Sequence, residues 1–186
     1  VVLHDDNLLR TTEPGQDKFQ SLLKQNIWEL NYDDIKDISV GSGGEKVPTL
    51  KSVLDLVSDD SQVLIELKTS GDAIVDERLV KAMADIFSDP IYQAKSKSLD
   101  FISFDAAILE ALASDIRTKN IGIYRVFSED GIRIFIEDSG GLDRAVTKLR
   151  PYKGVDLEMG RYLEEEIFRA LISGIKENNG YVASWP

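Results

Sequence analysis

The chain is predicted to be an α/β protein built on a parallel sheet. Short apolar runs suited to buried strands alternate with longer stretches of helical periodicity, about six times along 186 residues. No low-complexity linker and no internal repeat interrupts the alternation. The residues able to carry chemistry follow directly on the apolar runs, where a parallel α/β protein places its functional loops.

The elements follow in order. Val1–His4 reads as a strand and Thr11–Gly15 as a polar loop, with a short helical turn over Asn31–Asp37. Gly41-Ser42-Gly43-Gly44 is a flexible break. It has no strand before it and no Lys-Ser/Thr after it, so it is not a phosphate-cradling loop. Thr49 then caps an amphipathic helix running to about Val57. Val63–Lys68 is the second strand, and Asp76–Lys95 a long helix with Leu79, Val80, Met83, Ile86 and Phe87 on one face. Ser88-Asp89-Pro90 is placed to kink or end it. Phe101–Phe104 is the third strand and leads into a helix through Ile108, Leu109, Leu112 and Ile116. Ile121–Phe127, Val155–Leu157 and the segment after Asn178-Asn179-Gly180 are the remaining strands. Helices are expected over Leu142–Leu149 and Glu164–Lys176.

Composition narrows the class. The length suits one domain with a sizeable core. No apolar stretch approaches the ~18 residues that cross a bilayer. With no cysteine, disulfides, thiol catalysis and thiolate-bound metals are excluded. The net charge of −11 argues against a nucleic-acid partner, whose phosphates it would repel. The surface reading of that charge is plain solvation. For an anionic substrate it means that a local cation, such as a bound divalent metal, would be needed. The compartment is left open.

His4, the only histidine, stands where a strand would pass into a loop. A neutral imidazole there can give or take a proton near pH 7, or simply hold the loop by hydrogen bonds. Glu66 and Lys68, two apart on one strand, share a face and form either an internal ion pair or part of a site. Asp5, Arg10, Thr11 and Thr12 are suited to ordering a βα loop. Phe104 and Trp185 sit at strand ends, as core residues or as walls of a pocket. Asp156 and Glu158 are paired acids on a predicted strand and could line that pocket.

Val2-Leu3-His4-Asp5 followed by Asn7-Leu8-Leu9-Arg10-Thr11-Thr12, then Pro48-Thr49-Leu50, Ile65-Glu66-Leu67-Lys68, Ser103-Phe104-Asp105 and Tyr181-Val182-Ala183-Ser184-Trp185 together resemble the glycerophosphodiester phosphodiesterase family. The resemblance covers nearly the whole chain in the family's order and is weakest between Asn120 and Gly180. It turns the parallel sheet into a (β/α)8 TIM barrel, represented here by about six β/α units, rather than an open doubly wound sheet. The family's H-R-G strand, E-N-T and E-x-D pair would precede Val1, and a closing helix would follow Pro186, where the family has threonine. The resemblance therefore implies that residues 1–186 are a single, truncated phosphodiesterase-like barrel domain. Such a piece is expected to be inactive by itself and to expose unpaired strand edges.

The implied activity is metal-dependent hydrolysis of glycerophosphodiesters to an alcohol and glycerol phosphate. In that scheme His4 is the general acid and Glu66 a ligand to Mg²⁺ or Ca²⁺. Lys68 contacts the phosphate, and Phe104 and Trp185 contact the substrate. Asp5 and Arg10 order the loop. A lysophospholipase D or sphingomyelinase D-like activity is the neighbouring alternative. A barrel remnant that binds a ligand or partner without turnover is the alternative from another class.

Overall fold

A computed structural model of the chain describes residues 1–58, 60–158 and 165–185. The chain divides into two compact units, Val1–Ser58 and Asp59–Pro186.

The first unit is made of short pieces around its own core. α1 (Gln20–Leu23) and α2 (Tyr32–Ile35) precede an antiparallel hairpin of β1 (Ser39–Val40) and β2 (Glu45–Lys46), and α3 (Leu50–Leu56) closes the unit. The glycine-rich break is the turn of that hairpin, with Gly41 and Gly44 at positive φ. Thr49 caps α3 through its side-chain oxygen, which accepts from the Ser52 N–H at 3.1 Å. Leu8, Leu23, Ile35, Ile38 and Val47 form the buried cluster. Val1–His4, expected as a strand, is not one. The described sheet of this unit is β1–β2, so no neighbouring ladder reaches these residues. A single backbone bond, from Val2 N–H to Pro48 O at 2.9 Å, ties them down.

The second unit is a curled, five-stranded parallel sheet covered by helices. Its strands are β3 (Val63–Glu66), β4 (Leu99–Ser103), β5 (Gly122–Phe127), β6 (Gly154–Glu158) and β7 (Tyr181–Trp185), hydrogen-bonded in sequence order. The crossovers are α4 (Ala73–Ile86) with α5 (Pro90–Ala94), α6 (Ala106–Ser114), α7 (Glu129–Asp138) with α8 (Leu142–Leu149), and α9 (Glu165–Glu177). Among the described residues five parallel strands are present where six were expected, the difference being Val1–His4. The predicted start of the last helix at Glu164 lies outside the described residues, as does Pro186. The long helix predicted over Asp76–Lys95 is two, because Asp89 caps a new helix with Pro90 in its first turn. α7 was not expected at all; Ser128 caps it by accepting from the Gly131 N–H at 3.1 Å.

Ladder register sorts the strand side chains onto two faces. Leu99, Phe101, Phe127, Val155 and Leu157 point under the helices and are almost fully buried. Phe101 meets Phe87 of the α4 end edge-on, with ring centroids 5.7 Å apart. Each such burial contributes about 1.5–3 kcal/mol. The other face is the hollow of the curl. The row Glu66–Ile102–Tyr124–Gly154–Tyr181 crosses it from edge to edge. Glycine is required in that row, because a Cβ at Gly154 would collide with the Tyr181 backbone oxygen and lie 2.6 Å from Tyr124 Cε1. At the N-terminal end of the hollow, Lys153 Nζ donates to both oxygens of buried Asp100 at 2.8 and 2.9 Å.

Outside the hollow, Arg117 joins two elements. Its guanidinium donates to both Asp115 oxygens and to Asp85 Oδ1 of α4. Arg117 holds the Asp115 carboxyl down at about 2. The stabilisation from this pair is complete above the ordinary carboxylate range, about pH 4, and is lost as pH falls through about 2. Asp115→Asn is expected to flatten the decline of the melting midpoint between those limits. An unchanged slope in a pH series of thermal melts would show that the exposed pair contributes nothing. Gly154→Ala is expected to lower stability by about 2–3 kcal/mol, because β7 must move away from the new methyl group. A shift below about 0.5 kcal/mol in urea unfolding would mean that the hollow is loosely packed.

Candidate functional site

In the first unit, the loop after Val1–Leu3 gathers His4, Asp5 and Arg10. Arg10 grips the Asp5 carboxylate with two hydrogen bonds, Nε to Oδ2 at 2.6 Å and Nη2 to Oδ1 at 2.8 Å. His4 Nδ1 lies 2.9 Å from Asp5 Oδ1. The hydrogen bonds from Arg10, and next from His4, hold the Asp5 carboxyl well below the usual range, so it is an ionised acceptor. Nδ1 must then carry the hydrogen. That leaves Nε2 facing away from the pair on a side chain that is 79% exposed. The loop itself is fixed by Thr12 Oγ1, which donates to Leu8 O at 2.6 Å, and by wholly buried Leu8.

In the second unit, the C-terminal strand ends carry Glu66 and Lys68 from β3, Phe104 from β4, Asp156 and Glu158 from β6, and Trp185 from β7. Glu66 and Lys68 share the hollow face but are exposed rather than enclosed. β3 is an edge strand with one neighbour, so nothing covers their outer side within this unit. Lys68 Nζ stands 3.8 Å from Glu66 Oε1, a long and wet ion pair worth about 0–1 kcal/mol. It does not saturate either group.

Curling brings distant strands together. β4 and β7 are three places apart in the sheet, about 14 Å if it were flat. Yet the Phe104 and Trp185 rings meet edge-to-face with centroids 6.2 Å apart. Phe104 is 49% exposed, so it is a wall of the hollow and not a core residue. β3 and β6 are also three apart, and Asp156 still feels the Glu66 carboxylate. Burial first, and then Glu66, push the Asp156 carboxyl upward, while the Leu157 backbone N–H pulls the other way.

Three polar atoms at this end are buried without a hydrogen-bond partner among the described residues: Asp156 Oδ1, Trp185 Nε1 and Glu129 Oε1, the last of these 3.6 Å from Arg133 Nη2. Glu158, by contrast, is engaged, because its Oε2 accepts from the backbone N–H of Glu129 at the start of α7. Asp105, next to Phe104, caps α6 by accepting from the Ala107 N–H at 2.7 Å. The sequence marked Asp156 only as one of two alternating acids. The alternation was the available signal, and which of the two stays unpaired depends on α7.

For a hard cation, Glu66 is a donor of the right kind, and Asp156, pushed upward by burial first and then by Glu66, is a second carboxyl on the same face. Among the described residues no group of three His, Asp or Glu side chains is gathered closely enough to hold a metal unaided. Glu66 thus fits as one ligand and not as a whole site.

The model of the glycerophosphoryl diester phosphodiesterase family matches residues 1–129, and the chain belongs to that family. Among solved structures, a protein assigned as a glycerophosphoryl diester phosphodiesterase from Silicibacter pomeroyi DSS-3 has a TM-score of 0.72 at 19% identity, covering 100% of this chain and 68% of that one. One from Galdieria sulphuraria with a like assignment gives 0.63 at 19% identity, over 99% and 65%. A glycerophosphodiester phosphodiesterase from Parabacteroides distasonis ATCC 8503 gives 0.60 at 16% identity, over 100% and 64%. The chain thus spans about two thirds of the length of these proteins. At such identities the likeness establishes the fold, a (β/α)8-barrel relative with a parallel half-barrel of five strands. No curated protein sequence matches the chain. Among the described residues no helix is long and apolar enough to cross a membrane.

The raised Asp156 carboxyl has a consequence for stability. Folding favours its neutral form, so its contribution is complete below the ordinary carboxylate range, about pH 4, and is lost as pH rises through the raised value. Asp156→Asn is expected to raise stability at pH 7 by on the order of 1 kcal/mol. The gain should vanish below about pH 4. A variant that melts lower than the parent at pH 7 would show that the carboxylate is a net stabiliser.

Proposed function

We propose that the protein carrying this chain hydrolyses glycerophosphodiesters to an alcohol and glycerol phosphate. Family membership over residues 1–129 carries the reading. The strand-end groups Glu66, Lys68, Phe104 and Trp185 on one curled sheet support it.

His4 protonates the leaving alkoxide. Asp5 takes the Nδ1 hydrogen and, gripped by Arg10, keeps a fixed negative charge beside the ring. The ring gives its proton from Nε2, the nitrogen that the Asp5 bond leaves pointing away. Lys68, only loosely tied to Glu66, pairs with the phosphate oxygens. Phe104 and Trp185 wall the hollow and keep water off the ester. Glu66 would hold Mg²⁺ or Ca²⁺ as one ligand among others, and such a cation would draw charge from the phosphoryl oxygens. The net change is one water consumed, one phosphorus–oxygen ester bond broken, and one alcohol released with the phosphomonoester.

Incubation with glycerophosphocholine and Mg²⁺ is expected to release glycerol phosphate, and chelation to stop it. His4→Ala and Glu66→Ala are each expected to lower kcat/KM by at least about 100-fold without changing the circular dichroism spectrum. Near-normal turnover in either variant would refute its role. Saturable binding of the diester with no product would instead make the protein a binding module.

A further inference from the structure

We infer that Asp156 and Trp185 form a hydroxyl-reading subsite that takes the neutral polyol portion of the substrate, apart from the phosphate. The inference rests on the phosphodiesterase reading for the identity of the substrate, but not for the chemistry of the pair.

The two residues are neighbours on the hollow face. Asp156 pairs with Ala183 and Glu158 with Trp185, so Asp156 and Trp185 stand diagonally, two residues apart across the β6–β7 ladder. Diagonal neighbours of this kind lie about 7–8 Å apart, within reach of a long aromatic side chain. One presents an acceptor, Asp156 Oδ1, and the other a donor, Trp185 Nε1–H. Both atoms are buried and lack a partner among the described residues, and Asp156 as a whole is only 8% exposed. Buried groups of this kind are rarely left unpaired, because each costs about 1–3 kcal/mol. Two of opposite polarity on diagonal positions of one ladder point to a ligand group that satisfies both.

The polarity selects that group. A phosphate would face the Asp156 carboxylate with Glu66 also bearing on it, and like charges repel. A metal ion would face the indole N–H, which offers it a hydrogen and no lone pair. A hydroxyl gives its hydrogen to the carboxylate and accepts from the indole with its oxygen. A vicinal diol, as at the free end of a glycerol phosphate, can give one hydroxyl to each. Phe104, edge-on to Trp185, fixes the indole plane so that Nε1 keeps its direction. The neighbouring acid Glu158 is spent on the start of α7, which leaves Asp156 as the acceptor. Phosphate recognition then falls to Lys68 and polyol recognition to this pair.

The chain holds two tryptophans, Trp28 in the first unit and Trp185 in the second, so each indole N–H can be followed separately by nitrogen-edited NMR. Titration with glycerol 3-phosphate is expected to shift the Trp185 indole N–H, with Trp28 as the internal control. In Asp156→Ala the apparent affinity read from that shift is expected to fall about tenfold, the loss of roughly one hydrogen bond to a charged group. Trp185→Phe keeps the ring and removes the donor. It is expected to lower the preference of kcat/KM for glycerophosphocholine over bis(4-nitrophenyl) phosphate, a diester without hydroxyls, by a similar factor. No Trp185 shift at saturating glycerol 3-phosphate, or one unaltered in Asp156→Ala, overturns the subsite. A preference unchanged in Trp185→Phe does so too. If the protein cleaves neither diester while the Trp185 shift and its dependence on Asp156 persist, the phosphodiesterase reading fails and the polyol subsite stands.

Discussion

A parallel ladder can curl only as tightly as the residues on its inner side allow. In the second unit the limit is set in the row Glu66–Ile102–Tyr124–Gly154–Tyr181, where the absence of a side chain at Gly154 lets the Tyr124 ring lie against β6 and the β7 backbone pass close by. The same economy recurs at Gly122, where a Cβ would strike the Asp100 carboxylate and the Lys153 stem. These positions lie toward the N-terminal ends of the strands. Curvature set there appears at the C-terminal ends as convergence, bringing Phe104 to Trp185 and Glu66 into the field of Asp156. Structure and chemistry thus divide along the strand axis. One end packs tightly and pairs Asp100 with Lys153, and the other leaves Asp156 Oδ1 and Trp185 Nε1 without a hydrogen-bond partner among the described residues.

The two ends also differ in how they treat acids. Asp100 is buried but matched by Lys153 through two short bonds, which converts a costly carboxylate into a fixed part of the hollow. Asp156 is buried to a similar degree, and among the described residues its Oδ1 has no hydrogen-bond partner. A group that lowers stability and is not relieved by its surroundings is characteristic of a site prepared for something outside the protein. In the first unit the balance is reversed. Arg10 satisfies Asp5, and His4, bound to the same carboxylate through Nδ1, keeps Nε2 turned away from the pair.

Much of this was legible in the chain. The apolar runs of β3 to β7 announce themselves because a strand covered by helices on one face and crowded on the other must be apolar along most of its length. Thr49 marks a helix start by local chemistry alone, which needs no tertiary context, whereas Ser88-Asp89-Pro90 reads as a kink or an end and turns out also to start the next helix. The failures have the opposite cause. Val1–His4 has the composition of a strand, but a strand exists only against a neighbour. α7 opens Ser-Glu-Asp-Gly, which reads as a turn until its Phe135 and Ile136 are seen packed on the β5–β6 core. His4 was visible as a strand-end histidine and Asp5 with Arg10 as a loop-ordering pair, because one short loop carries them all; that His4 shares the Asp5 carboxylate with Arg10 is seen only in the structure. The unpaired state of Asp156 was not visible. It depends on the Glu129 N–H choosing Glu158, a contact spanning 29 residues.

Three strand-to-helix joints among the described residues, those into α4, α6 and α7, share one construction. Asp72, Asp105 and Ser128 each close the helix that follows with a side chain only two or three residues from its bonded amide. Each joint is therefore sealed from within and asks nothing of the next. Insertions, deletions and exchanges in one crossover can accumulate without disturbing the ladder or the other crossovers. A scaffold assembled this way separates the inheritance of its frame from the inheritance of its rim, and substrate preference can drift at the rim while the frame is conserved.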